Sequence, residues 1–287
     1  MQNKSILRII KNDVLFGIFS NKFRYIFVIL FFLCNVFVFI KSTLDFPFHK
    51  TFLQMPSVTD IWFNLFKGME IYIPSKDMPF QIPFIWLMIQ TLLALLIVTY
   101  PTQDLFSYGT QILIHMKKRR IWWISKCIWN ICTVISFYLI AFICVFLISA
   151  IYGNISFNFN LDLNNEINYL DINITNIVLS YFSIYGLPII TSIALSLLQM
   201  MLSFILSPIY SFIITIAYSV ISAYYCSPLL IGNFSMIMRN SALGLGSVHI
   251  MSAVIICCIV SISSIVIGMI YTIRLDIIKK GGVVDAD

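Results

Sequence analysis

LPIITSIALSLLQMMLSFILSPIYSFIITIAYSVISAY, residues 187–224, lies inside a run that carries no charged residue between Asp171 and Arg239. A single membrane helix needs about 20 apolar residues, so this run is too long for one. Ser207-Pro208 divides it: serine caps a helix through its hydroxyl, and proline suits the first helical turn. Two spans are therefore expected, at about 174–206 and 209–226. Pro188 should kink the first of them, and Pro228 should stop the second.

The rest of the chain repeats the pattern. Uncharged stretches place further spans at about 25–40, 82–100, 128–152 and 248–273. The expected fold is thus an all-α integral membrane protein with six transmembrane helices, spanning 25–273. Composition agrees: of 287 residues, 60% are hydrophobic and 10% charged, with a mean hydropathy of +0.95. Soluble domains carry roughly 25% charged residues. No basic and aromatic run resembles a nucleic-acid face, so nucleic acid is not an expected partner.

Charge sets the orientation. Lys4, Arg8, Lys11, Lys22 and Arg24 precede the first span, and Lys117, Lys118, Arg119, Arg120 and Lys126 lie between the second and third. Arg274, Lys279 and Lys280 follow the last. The opposite side holds Lys41, Lys50, Lys67, Lys76 and Arg239 over much longer loops. The positive-inside bias puts both termini in the cytoplasm, including the tail 274–287. The basic start, with no small-residue cleavage site after the first apolar run, is not expected to be a cleaved signal.

Residues 1–24 read as a helix lying on the cytoplasmic leaflet. Leu7, Ile10, Val14 and Ile18 share one face, with Lys4, Arg8 and Asn12 around another. Ile9 and Phe16 fall on the wetter side of that helix. In the long first outside loop, residues 61–69 look amphipathic, which suggests a small extracellular helix or cap. Trp122 and Trp123 are placed where aromatics anchor a span at the interface.

Several chemistries are missing. All twelve acidic residues fall outside the expected spans, which disfavours ion-coupled transport and intramembrane proteolysis. There is no G-x-x-x-x-G-K-[ST], H-E-x-x-H or G-x-S-x-G pattern. The seven cysteines show no C-x-x-C spacing, so no disulfide framework, zinc site or other metal site is expected. No catalytic residue and no cofactor is expected in this chain. Neutral polar residues in the spans, Asn35, Gln90 and Gln199 among them, fit interhelical hydrogen bonding. They could also line a mildly polar translocation path.

The cytoplasmic stretch DLFSYGTQILIHMKKRRIWWISK, residues 104–126, contains a short uncharged segment just outside the membrane. Its residues Phe106, Tyr108, Gly109, Thr110, Gln111, Ile112, Leu113 and His115 look like a docking surface. Here the sequence resembles the permease subunit of an ABC transporter of the type-two exporter class. Those permeases are similar in having six spans, an interfacial N-terminal helix and a short coupling helix between spans two and three. A second likeness, to permeases of Gram-positive bacteria, lies after span five in Pro228, Gly232, Asn233, Met236 and Arg239. The tail Arg274-Leu-Asp-Ile277 is similar to the family's short ending.

The resemblance implies a bacterial cell membrane and a second permease copy or homologue as partner. It also implies a separate ABC ATP-binding subunit that holds ATP and magnesium. The implied function is export of an amphipathic peptide, a lipid-linked molecule or a drug. The same topology would serve a non-transporting immunity or sensor protein that binds a peptide at its outside loops.

Overall fold

The structure, a computed structural model, describes residues 2–45, 55–74, 79–106, 119–152, 154–168, 172–174 and 176–274. The described residues form helices α1 (Gln2–Ser20), α2 (Lys22–Asp45), α3 (Val58–Phe66), α4 (Phe84–Ile97) and α5 (Tyr100–Phe106). They continue as α6 (Arg119–Ile151), α7 (Leu161–Asn168), α8 (Ile177–Tyr181), α9 (Leu187–Ile205), α10 (Pro208–Tyr224) and α11 (Ile250–Arg274). Phe182–Gly186 is a π-helical turn joining α8 to α9, and three 3-10 turns lie between α10 and α11.

Among the described residues five stretches are long and apolar enough to cross a membrane: α2, α4 with α5, α6, α8 through α9, and α11. This is the pattern of a multi-pass membrane protein. The expected fifth span departs from it. α10 has 17 residues, or about 25 Å at 1.5 Å per residue, against a hydrocarbon core of about 30 Å. The third span starts earlier than expected, because α6 runs through Arg119, Arg120 and Lys126 for 33 residues.

Local chemistry explains the breaks. Ser207 accepts from the backbone of Tyr210 and Pro208 opens α10, as the dipeptide suggested. The expected bend at Pro188 takes the form of a π turn just before it. Proline cannot donate to the carbonyl four residues back, at Ile184. That carbonyl instead accepts from the Trp62 indole N–H at 3.0 Å, while the Leu187 amide reaches back five residues to Phe182.

The core is aromatic. The Phe32 ring meets Phe137 edge-on, and Phe66 stacks on Tyr138, with centroids 5.4 and 5.3 Å apart. On α10 the buried face is made of Ser211, Ser219, Ser222 and Ala223, small residues that let helices approach closely in lipid. Exposed Ile209, Ile213 and Ile214 cover its other side. Two glycines mark tight crossings: a Cβ on Gly17 would overlap the Trp129 ring, and one on Gly268 would overlap Trp123.

Two expectations are corrected. Trp122 and Trp123 are not lipid-facing anchors. Both are buried; Trp123 donates to the Ile265 carbonyl and Trp122 to Asp104. The small helix expected over 61–69 is displaced to Val58–Phe66, and all nine of its residues are buried rather than forming a cap with a wet face. On α1 the buried positions are Asp13 and Gly17, Val14 and Ile18 are half-buried, and Leu15, Phe16 and Phe19 are exposed. Lys11, Asn12 and Ser20 are exposed beside Phe16.

Candidate functional site

Two buried polar nodes organise the molecule, one at each end of the bundle. The first, at the end expected to face the cytoplasm, is built on Lys126, one turn after Trp122 on α6. Its ammonium lies 2.9 Å from Asp13 on α1 and 2.7 Å from Asp104 on α5. The lysine side chain is fully buried, and the carboxylates are 9% and 12% exposed. Ser125 also donates to Asp13, Trp122 donates to Asp104 at 3.1 Å, and the Tyr100 hydroxyl donates to the Asp13 carbonyl at 3.1 Å. The ammonium further sits 4.7 Å from the Tyr100 ring centroid. A buried charge is costly unless paired and hydrogen-bonded, and here every member is. The node binds α1, α5 and α6 together. Asn21, in the break between α1 and α2, adds a further tie by donating to the carbonyls of Gly17 and Leu96.

The second node, at the end expected to lie outside, is built on Arg239, which is fully buried without a carboxylate partner in any described ion pair. Its Nε donates to the Met69 carbonyl at 3.2 Å. Nη1 donates to the Ser222 carbonyl at 2.6 Å and to Asn233 Oδ1, and Nη2 to the carbonyls of Glu70 at 3.2 Å and Ala223 at 2.5 Å. A guanidinium has five N–H donors, and all five are used. Burial lowers the Arg239 pKa from its ordinary value. Arginine nevertheless stays protonated in proteins, and two of its acceptors are the last carbonyls of α10, the negative end of that helix. Around it, Trp86 and Gln90 donate to the Ser235 hydroxyl at 3.0 and 3.4 Å. Gly232 lies so close to Ser222 that a Cβ would overlap its hydroxyl.

The structure brings together most of the outside segment singled out in the sequence. Gly232, Asn233, Met236 and Arg239 are buried in one node, while Pro228 is exposed before it. Gln90 belongs to this node. Gln199 instead donates to the Ala94 carbonyl at 3.0 Å, and half-buried Asn35 donates to Phe31 on its own helix at 2.8 Å. Each of these three amides is engaged with protein. Tyr108, Gly109, Thr110, Gln111, Ile112, Leu113 and His115 lie outside the described residues. Phe106 ends α5, and α1 contains Leu7 and Ile10, whose side chains are likewise outside the description.

Sequence reasoning missed the Lys126 node by reading Lys126 as one more loop charge. The missed signal was its position, one turn beyond Trp122 inside an otherwise apolar run. Asp60 on α3 was also missed. It is fully buried and accepts from the Ser57 and Asn160 amides, each at 2.9 Å, and from the Asn164 side chain at 2.7 Å. Burial raises its pKa above the ordinary carboxylate value, and these hydrogen bonds pull the other way.

Among the described residues no group of three or more His, Cys, Asp or Glu could hold a metal ion. All seven cysteines are free thiols. Comparison with known proteins finds no matching family model, no matching curated protein and no matching solved structure.

Proposed function

We propose that the chain is the membrane-spanning subunit of an ATP-driven exporter, with six spans and both termini in the cytoplasm of a bacterial cell. In this reading α10 is the short fifth span and α1 lies along the inner leaflet. Residues 106–116, together with α1, dock a separate ATP-binding subunit, which supplies ATP and magnesium. A second permease completes the assembly, and the cargo is an amphipathic peptide, a lipid-linked molecule or a drug.

The observation that carries the reading is the Lys126 node. The docking stretch follows Asp104, in the last turn of α5, and precedes α6, which carries Lys126 about two turns from its start, and these two residues are ion-paired. Asp13 adds α1 to the same node. A push on the segment would therefore reach α1, α5 and α6 together. Such a rigid connection is what a docked ATPase needs in order to move spans. Buried ionic networks hold discrete arrangements that can transmit coupling.

The test is Gly109→Glu or Leu113→Glu in the assembled complex. Either charge should uncouple ATP hydrolysis from transport while membrane insertion is retained. Normal coupling in both variants would count against the docking assignment.

A further inference from the structure

We propose that α3 is a re-entrant seal. It dips from the outside into the bundle and closes the outer half of the space between α2, α6 and the α8–α9 helix to water and small ions.

Depth is the first argument. Phe66, at the inner end of α3, packs on Phe32, with ring centroids 6.5 Å apart. Phe32 lies ten residues into α2, or about 15 Å along the helix axis at 1.5 Å per residue, roughly half the hydrocarbon core. Phe66 also stacks on Tyr138, whose hydroxyl bonds the Pro188 carbonyl and Ser192. The tip of α3 therefore sits among mid-span residues of three helices.

Occlusion is the second argument. Trp62 and Phe66, one turn apart, share the inward face. The Trp62 ring lies 5.3 to 6.2 Å from Tyr185, Phe142 and Tyr138. Its N–H covers the carbonyl that Pro188 leaves free. An aromatic constriction with no open polar atom excludes ions by dewetting.

Retention is the third argument. Nothing covalent holds α3 in place, yet its outward side is fastened along its length to the second outside loop. Thr59 and Asp60 bond the Phe157 carbonyl, the Asn160 amide and the Asn164 side chain, and Lys67 donates to Asn168 at 2.6 Å. Phe63 packs edge-on against Phe159. The Met238 amide donates to the Lys67 carbonyl at 3.0 Å, which ties the C-terminal end of α3 to the segment that carries Arg239. Irregular backbone at membrane depth survives only where protein covers it, and these bonds supply the cover.

The test uses the full chain alone in liposomes and needs neither an ATPase nor a cargo. Sodium leak is read from a sodium-sensitive dye trapped inside. Trp62→Ala/Phe66→Ala should raise the leak about tenfold over wild type by opening the constriction. Phe63→Ala, which removes a ring from the other side of the same helix, should leave the vesicles tight. If the double variant is folded and tight, or if both variants leak alike, the seal is overturned. Hydrogen exchange of the wild-type protein covers the case in which the double variant does not fold. Amides 58–66 should exchange as slowly as those of α6, and exchange at the rate of an exposed loop would overturn the proposal.

Discussion

Replacing Lys126 with methionine removes the one cation between two carboxylates while nearly keeping side-chain volume. Asp13 and Asp104 would be left facing a hole that had held an ammonium 2.9 and 2.7 Å away. Taking one partner from a buried pair costs about 3–5 kcal/mol, mostly the penalty of the stranded charge. For a chain of this size about 2–4 °C of melting temperature goes with each kcal/mol, so a fall of about 6–20 °C is expected. The assay is heat unfolding in detergent, followed by tryptophan fluorescence and checked by size exclusion. The control is Lys126→Met combined with Asp13→Asn and Asp104→Asn. Asparagine keeps an acceptor for Ser125 and for Trp122 while removing both charges, so the triple variant should recover about half or more of the loss. The reasoning is refuted if the single variant melts within about 2 °C of wild type, or if the triple variant is no better than the single one.

Arg239→Lys should cost stability although charge is conserved. An ammonium offers three donors where a guanidinium offers five, so at least two buried acceptors lose their partner, at about 1–3 kcal/mol each. A melting curve indistinguishable from wild type would contradict the assignment of all five contacts. Trp62→Phe keeps most of the ring but strands the Ile184 carbonyl, and should cost about 1–3 kcal/mol in the same assay. Asp60 makes a pH prediction. Its pKa is raised in the folded state by burial. Its contribution is therefore full below the unfolded carboxyl value and is lost as pH rises through the folded one. The melting temperature difference between wild type and Asp60→Asn should change in that direction between mildly acidic and neutral pH, and a pH-independent difference would sink the claim.

The spans were legible because lipid demands a signal that no soluble fold produces, long uncharged apolar runs, and because Ser207-Pro208 carries its own capping chemistry. Where tertiary contacts decide, the sequence misleads. Trp122 and Trp123 have the composition of an interfacial belt, yet Gly268 opens a slot on α11 in which the Trp123 ring is buried. Lys126 counts as a loop charge until Asp13, 113 positions away in sequence, closes on it. Residues 58–66 contain Asp60 and Asn64, polar enough to suggest a wet helix. Beyond the local Ser57 amide, it is Asn160 and Asn164 on a distant loop that make burial of the Asp60 carboxylate tolerable. At the Arg239 node, Asn233 and Arg239 could be singled out as a segment. The acceptors that Arg239 finds in Met69, Glu70, Ser222 and Ala223 are backbone carbonyls, which carry no sequence signal at all.

The central claim, that this chain works with a separate ATPase, is tested most directly by purifying the tagged protein in gentle detergent and identifying what accompanies it by mass spectrometry. The account predicts a soluble ATP-binding subunit in stoichiometric amount, lost on Leu113→Glu. A folded, undissociated preparation that holds no such subunit would contradict it and would favour an immunity or sensor protein acting through its outside loops.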